Sequence, residues 1–230
     1  MIDHPISSVH FLFNQAEING DKSAFSYKDN QIWNDISWNT YRGDVHKAAG
    51  SLISIGCNSG DKVCILGFNN YNWVTMDMAA MMTGAIPAGI YETCSAEEIS
   101  YILNHSEAKV LLIEDTEQWQ KINEIRNDLK FLEKVILMEG CDEITDDLVI
   151  DWKSFMNLSN EDNRKAAFVS MGKLQKDDVA TFIYTSGTTG PPKAVMLSNE
   201  NMTWTAKQAI DLISLSPDDT SLSYLPLSHI

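Results

Sequence analysis

Val63-Cys64-Ile65-Leu66-Gly67-Phe68 is a short apolar run, and Tyr71 to Thr83 just beyond it carries apolar residues at helical spacing. The same alternation then repeats. Ala85–Ile90 reads as a strand, Ala96–Asn104 as a helix, Val110–Ile113 as a strand, Thr116–Leu129 as a helix and Val135–Met138 as a strand. Strands alternating with helices predict an α/β fold with a mainly parallel sheet covered by helices on both faces. Ser95 followed by Glu98 predicts a capping box, and Asp115 with Gln118 a weaker one, so these polar groups have a structural explanation. Asp77, alone in an apolar helix, is expected on its solvent face.

Working outward toward the N-terminus, Val9, Leu12, Phe13 and Ala16 suit a short amphipathic helix over residues 7–15, ending before Asn19-Gly20. Phe25 and Tyr27, then Trp33 to Trp38, flank Lys28-Asp29-Asn30-Gln31 and read as a hairpin. Tyr41, Val45, Ala48, Ala49, Leu52 and Ile53 recur at helical spacing until Gly56. On the other side, residues 140–178 are polar and weakly periodic, with Asp142, Glu143, Asp146, Asp147, Glu161 and Asp162. Trp152 and Phe155 are expected to anchor this stretch to the body. The expected division is an α/β subdomain over 1–139, an acidic linker or excursion over 140–178, and the start of a second α/β subdomain over 179–230. The acidic positions do not have EF-hand spacing.

With 17 basic and 32 acidic residues the net charge is −15, which opposes nonspecific nucleic-acid binding. It equally opposes attraction to anionic lipid. Cys57, Cys64, Cys94 and Cys141 show no C-x-x-C pairing, and the first residues lack a basic segment followed by an apolar one. These features predict reduced thiols in a cytoplasmic protein. The most apolar window, 74–90, contains Asp77, Gly84 and Pro87 and does not read as a spanning helix, so any membrane contact is expected to be peripheral.

Tyr184-Thr185-Ser186-Gly187-Thr188-Thr189-Gly190-Pro191-Pro192-Lys193 follows the apolar, β-branched Val179–Ile183 and precedes a helical pattern from Asn201 to Ile213. A glycine- and hydroxyl-rich loop between a strand and a helix can bring backbone N–H groups, hydroxyls and one ammonium onto a polyphosphate. Gly187 and Gly190 permit close approach of an anion, and Pro191-Pro192 stiffens the exit. The spacing is not that of the Walker loop. The alternative is a polar surface turn built from ordinary loop residues.

That decapeptide resembles the phosphate loop of the adenylate-forming superfamily, which includes acyl-CoA synthetases, luciferases and peptide-synthetase adenylation domains. Tyr224-Leu225-Pro226-Leu227-Ser228-His229 is similar to the next block of that family. Val63–Phe68, Ala88-Gly89-Ile90-Tyr91 and residues 95–112 are similar to long-chain acyl-CoA synthetases of the bubblegum type. The likeness covers nearly the whole chain. It implies an ATP-dependent, AMP-forming ligation in which a long-chain fatty acid becomes an acyl-adenylate and is then transferred to coenzyme A. Ser186, Gly187, Thr188, Thr189, Gly190 and Lys193 would then hold the β- and γ-phosphates of ATP, with Tyr184 and Thr185 shaping the start of the loop. Mg2+ would bridge the phosphates, with Thr188 in its shell. His229 matches the histidine of the family's block as a catalytic candidate, and is equally readable as a hydrogen-bonded core residue.

Two positions depart from the family pattern: Ala194 stands where glycine is usual, and Asn199 where many members have histidine. Ala194 would be strained if that position needs positive φ. The resemblance also implies several hundred further residues, including the adenine-binding motifs and a small C-terminal domain, so these 230 residues by themselves are expected to show little turnover. The competing expectation is a noncatalytic nucleotide-binding or interaction fragment. A phosphotransferase would need a kinase-type Asp and Asn set, which the sequence lacks.

Overall fold

The computed structural model describes residues 1–29, 31–185, 191–216 and 219–229, with the backbone alone at 29 and 229. The chain opens with α1 (Ser8–Asn19), capped by the Ser7 hydroxyl, which accepts from the His10 N–H. A two-stranded antiparallel hairpin, β1 (Ser23–Asp29) and β2 (Ile32–Ser37), leads into α2 (Trp38–Ser54). The alternating body follows: β3 (Lys62–Leu66), α3 (Tyr71–Thr83), β4 (Ile86–Ile90), α4 (Ala96–Ser106), β5 (Ala108–Ile113), α5 (Thr116–Ile125) and β6 (Lys134–Leu137). Next come β7 (Val149–Asp151), α6 (Trp152–Asn157), α7 (Glu161–Met171), β8 (Val179–Thr185), β9 (Lys193–Ser198) and α8 (Asn199–Ile213), with a final 3-10 turn at Leu227–His229.

Seven strands form one sheet in the order β7-β6-β5-β3-β4-β8-β9, parallel except for the antiparallel β8–β9 pair. Its central strands bury both faces, which is why they read as unbroken apolar runs. Successive side chains alternate between two cores. Val63, Ile65, Val110, Leu112 and Ile136 pack with residues of α1, α2, α3, α6 and α7. Cys64, Leu66, Leu111, Ile113, Val135 and Leu137 pack on the opposite side with α4 and α5. Gly84 ends α3 at φ +79°, a left-handed cap that costs glycine nothing sterically. Pro87 has no N–H to give the β4–β8 ladder, and the buried Thr181 hydroxyl joins the strands instead, donating to the Pro87 carbonyl at 3.1 Å.

The Ser95–Glu98 capping box forms in full. At α5 only half of the predicted box is present. Asp115 accepts from the Gln118 N–H, while the Gln118 side chain donates to the Glu92 carbonyl.

The stretch expected to be a linker or excursion, 140–178, is built into the body. It supplies β7 at the sheet edge and the helices α6 and α7, with Trp152 and Phe155 buried as anchors. Its acidic residues serve local roles that polarity alone did not disclose. Asp146 pairs with Arg126 and accepts from the Leu148 N–H, holding its carboxyl below the usual range, and Asp151 caps α6 through the Ser154 N–H. Two histidines tie α7 down: His10 Nε2 lies 3.2 Å from the Met171 carbonyl and His46 Nε2 2.8 Å from that of Arg164. Asp77 is also a correction. It does not face open solvent: it is half-buried, and burial pushes its carboxyl up to about 7.

Candidate functional site at the carboxyl ends of the parallel strands

In open parallel sheets ligands bind beyond the carboxyl ends of the strands. From β3 the chain moves to β4 on one side, then crosses back to β5 on the other, so the strand order reverses between β3 and β5. One strand along from that reversal, β4 ends at Ile90 next to Leu66 of β3, and β8 runs parallel beside β4 through the pairs Ala88–Phe182 and Gly89–Ile183. A cavity of about 490 Å³ opens there, with Gly89, Tyr91, Cys94, Glu98, Tyr184, Thr185 and Pro192 among its lining.

The glycine- and hydroxyl-rich loop leaves this end of β8. Tyr184 pairs with Ala194 and Thr185 with Lys193 across the antiparallel ladder. The loop therefore joins two strands, and the expected strand-to-helix passage is corrected: β9 intervenes, and α8 begins only at Asn199. Five residues of β9, 194–198, separate Lys193 from that helix, roughly 17 Å at about 3.4 Å per residue, so the positive end of the α8 dipole is too far to act at the start of β9. Ser186, Gly187, Thr188, Thr189 and Gly190 lie outside the described residues. Thr185 and Lys193, which flank them, are exposed, and no carboxylate among the described residues pairs with Lys193.

Tyr184 points away from the loop, into the core beneath α4. Its hydroxyl is 2.9 Å from His105 Nδ1, the two rings meet edge to face, and Tyr101 stacks on the other side of His105. Burial pushes the phenol upward, so it stays protonated. His105 had no role in the sequence reading because its partner lies on a different element. Neither departure from the family pattern strains the backbone. Ala194 sits in regular strand, and the described non-glycine residues with positive φ are Gln31, Glu107 and Ser214. Asn199 is buried and donates to the Gln175 carbonyl at 2.8 Å.

The block holding His229 reaches the same crevice. Residues 225–228 cross the carboxyl ends of β3 and β4, where Ser228 is buried against Gly89 and the turn touches β4 and β8. The side chain of His229 lies outside the described residues. No cluster of His, Cys, Asp and Glu among the described residues could hold a metal ion, and no helix among them is long and apolar enough to cross a membrane.

These features define a doubly wound α/β domain with a cavity at the carboxyl ends of its parallel strands. The family described as AMP-binding enzyme matches residues 12–230, and the chain belongs to that family. Among curated relatives, the chain is 37% identical over 237 residues to the long-chain-fatty-acid–CoA ligase ACSBG2 of Rattus norvegicus, a match covering 98% of this chain and 35% of that protein. It is 36% identical to ACSBG2 of Xenopus laevis, covering 98% and 31% respectively. The chain thus spans about a third of the length of these relatives. Among solved structures, the acetoacetyl-CoA synthetase from Streptomyces lividans superposes with a TM-score of 0.81 at 20% identity, covering 96% of this chain and 35% of that one. The long-chain-fatty-acid–CoA ligase FadD1 from Archaeoglobus fulgidus gives a TM-score of 0.79 at 24% identity, covering 99% and 44%. At these identities the superpositions establish the fold.

Proposed function

We propose that the protein carrying this chain is an ATP-dependent, AMP-forming ligase that activates long-chain fatty acids for transfer to coenzyme A. The observation that carries this reading is the placement of Thr185 and Lys193. They face each other at the mouth of the hairpin, beside the cavity at the carboxyl end of the parallel sheet. The likeness to long-chain-fatty-acid–CoA ligases over 98% of the chain supports the acyl substrate class.

In the first step a fatty-acid carboxylate oxygen attacks the α-phosphorus of ATP, the bond to the bridging oxygen breaks, and pyrophosphate leaves with the electron pair. In the second, the coenzyme A thiol loses its proton and attacks the acyl carbonyl, displacing AMP. The physical demand of the first step is to hold a polyanion while negative charge grows on the leaving group. Fixed amide and hydroxyl donors with one cation meet it through positioning and electrostatics. In this assignment Ser186, Gly187, Thr188, Thr189, Gly190 and Lys193 hold the β- and γ-phosphates, while Tyr184, anchored to His105, fixes where the loop begins. Thr185 shapes its first turn, and His229 belongs beside the reacting acyl and phosphate groups. The Thr188 hydroxyl would be the protein's oxygen ligand to Mg2+, which would supply positive charge against that of the nucleotide. A cytoplasmic location with peripheral contact at membranes fits an acyl substrate that partitions into bilayers.

The test is ATP–pyrophosphate exchange with palmitate in the full-length protein. Lys193→Ala is expected to lower exchange about 100-fold, the scale of losing one preorganised donor to developing charge. Equal exchange in wild type and variant would reject the role given to Lys193.

A further inference from the structure

The segment 225–228 is held in the crevice from two sides. Asn69, three residues beyond the end of β3, engages it with both ends of its side-chain amide. Nδ2 donates to the Leu225 carbonyl at 2.7 Å, and Oδ1 accepts from the Leu227 N–H at 2.8 Å. A single side chain thus saturates a donor and an acceptor two residues apart, fixing both the height and the rotation of that backbone. The other side is Gly89 of β4. A Cβ at this position would lie 2.7 Å from Ser228 Cα, 2.9 Å from Ser228 Cβ and 3.3 Å from the Trp73 ring. The segment therefore rests directly on the β4 backbone, in space that only glycine leaves. Trp73 closes the seam from α3, and its buried indole N–H has no acceptor among the described residues.

We infer that Asn69 is a positioning residue: its two backbone hydrogen bonds hold residues 225–228 over the carboxyl ends of β3 and β4 and so set the position of His229 for the chemistry. The inference rests on the ligase reading above, to which it adds a residue outside the loop and outside the histidine block. Three observations favour a positioning role over general stability. Asn69 is a half-exposed loop residue whose removal opens no core cavity. Both described partners of its amide are backbone atoms of one short segment. That segment lies at the carboxyl ends of parallel strands, against Gly89, which also lines the cavity.

The experiment compares Asn69→Ala with wild type in the full-length protein by two readouts. In hydrogen exchange, the Leu227 amide should exchange about tenfold faster or more, as expected when a hydrogen bond worth about 1 kcal/mol and its companion are removed, while the Val63–Leu66 amides keep their protection. In acyl-adenylate formation from palmitate, kcat should fall at least about tenfold with KM for ATP changed less than about threefold, the pattern of a misplaced group that acts in the transition state. Gly89→Ala, which pushes on the same segment from below, should give the same pair of changes. Unchanged Leu227 exchange in Asn69→Ala overturns the clamp, and faster exchange with unchanged kcat overturns the positioning role. Absence of adenylate formation in wild type would instead remove the ligase reading on which the positioning role depends, leaving the exchange result to decide the clamp alone.

Discussion

The Tyr184 hydroxyl and His105 Nδ1 stand 2.9 Å apart, linking the last turn of α4 to the strand residue two positions before Ser186. Tyr184 is buried in the core on this side of the sheet, while His105 sits at the exposed end of α4 with Tyr101 stacked on the imidazole. The last buried residue of β8 is thereby fixed by a side chain from another layer, directly before Thr185.

Tyr184→Phe removes the hydrogen bond while keeping the ring, so it should cost about 0.5–1.5 kcal/mol by urea denaturation, the range for one side-chain hydrogen bond. His105→Ala should cost at least as much, because it also deletes the Tyr101 stack. A double-mutant cycle should return a coupling of about 0.5–1.5 kcal/mol. Additive losses would show that the two side chains do not interact.

The order of the sheet's central elements was legible because strands buried on both faces are continuous apolar runs and the helices between them show clear periodicity. Val63–Phe68 and Val110–Ile113 were read nearly to their ends, and Tyr71–Thr83 to the residue. β9 was not legible. Its Lys-Ala-Val-Met-Leu-Ser sequence lies at the sheet edge with Val195 and Met196 exposed, so the run shows neither clean alternation nor full burial. That omission led to the expectation of a helix directly after the loop. Asn69 was missed for a different reason. Its partners lie 156 and 158 residues further along the chain, and no local pattern marks a side chain whose work is done across the fold. An asparagine just past the carboxyl end of a parallel strand was the available signal.

Lys193 is fixed at its backbone by pairing with Thr185, so its ammonium has a limited reach. Lys193→Ala should weaken binding of Mg-ATP by about tenfold, near 1.4 kcal/mol, and Lys193→Arg should recover only part of it because a planar fork replaces a compact charge. Isothermal calorimetry checks both. Equal affinity in all three proteins would place the polyphosphate elsewhere.

The four cysteines should separate into two classes with a thiol reagent. Cys57 and Cys64 are buried, which pushes both thiols up to about 12. The Asp61 carboxylate adds to the shift at Cys57, and a contact with the Ser106 hydroxyl opposes it at Cys64. At pH 8 the thiolate fraction of such a group is on the order of one in ten thousand. Cys94 and Cys141, both partly accessible, should react first with a disulfide reagent in the native protein, and Cys57 and Cys64 only on unfolding. Rapid modification of Cys64 in the folded state would contradict its burial.

Asp77 makes stability depend on pH in a direction opposite to that of an ion-paired carboxylate. Its folded value, raised from 3.8 to about 7 by burial, means that the folded chain keeps a proton at this site which the unfolded chain releases above about pH 4. The contribution is therefore fully present below pH 4 and is lost as pH rises through about 7, where the folded protein must ionise a half-buried group. No hydrogen-bond partner among the described residues relieves that charge. Asp77→Asn keeps the shape without the charge, so its benefit over wild type should be small at pH 5 and larger at pH 8. The difference should be on the order of 2 kcal/mol, less than the full shift because part of the side chain stays wet. Urea denaturation at the two pH values measures it. An equal effect of Asp77→Asn at both would mean that the carboxylate is already solvated in the folded state, on the exposed helix face that the sequence alone suggested.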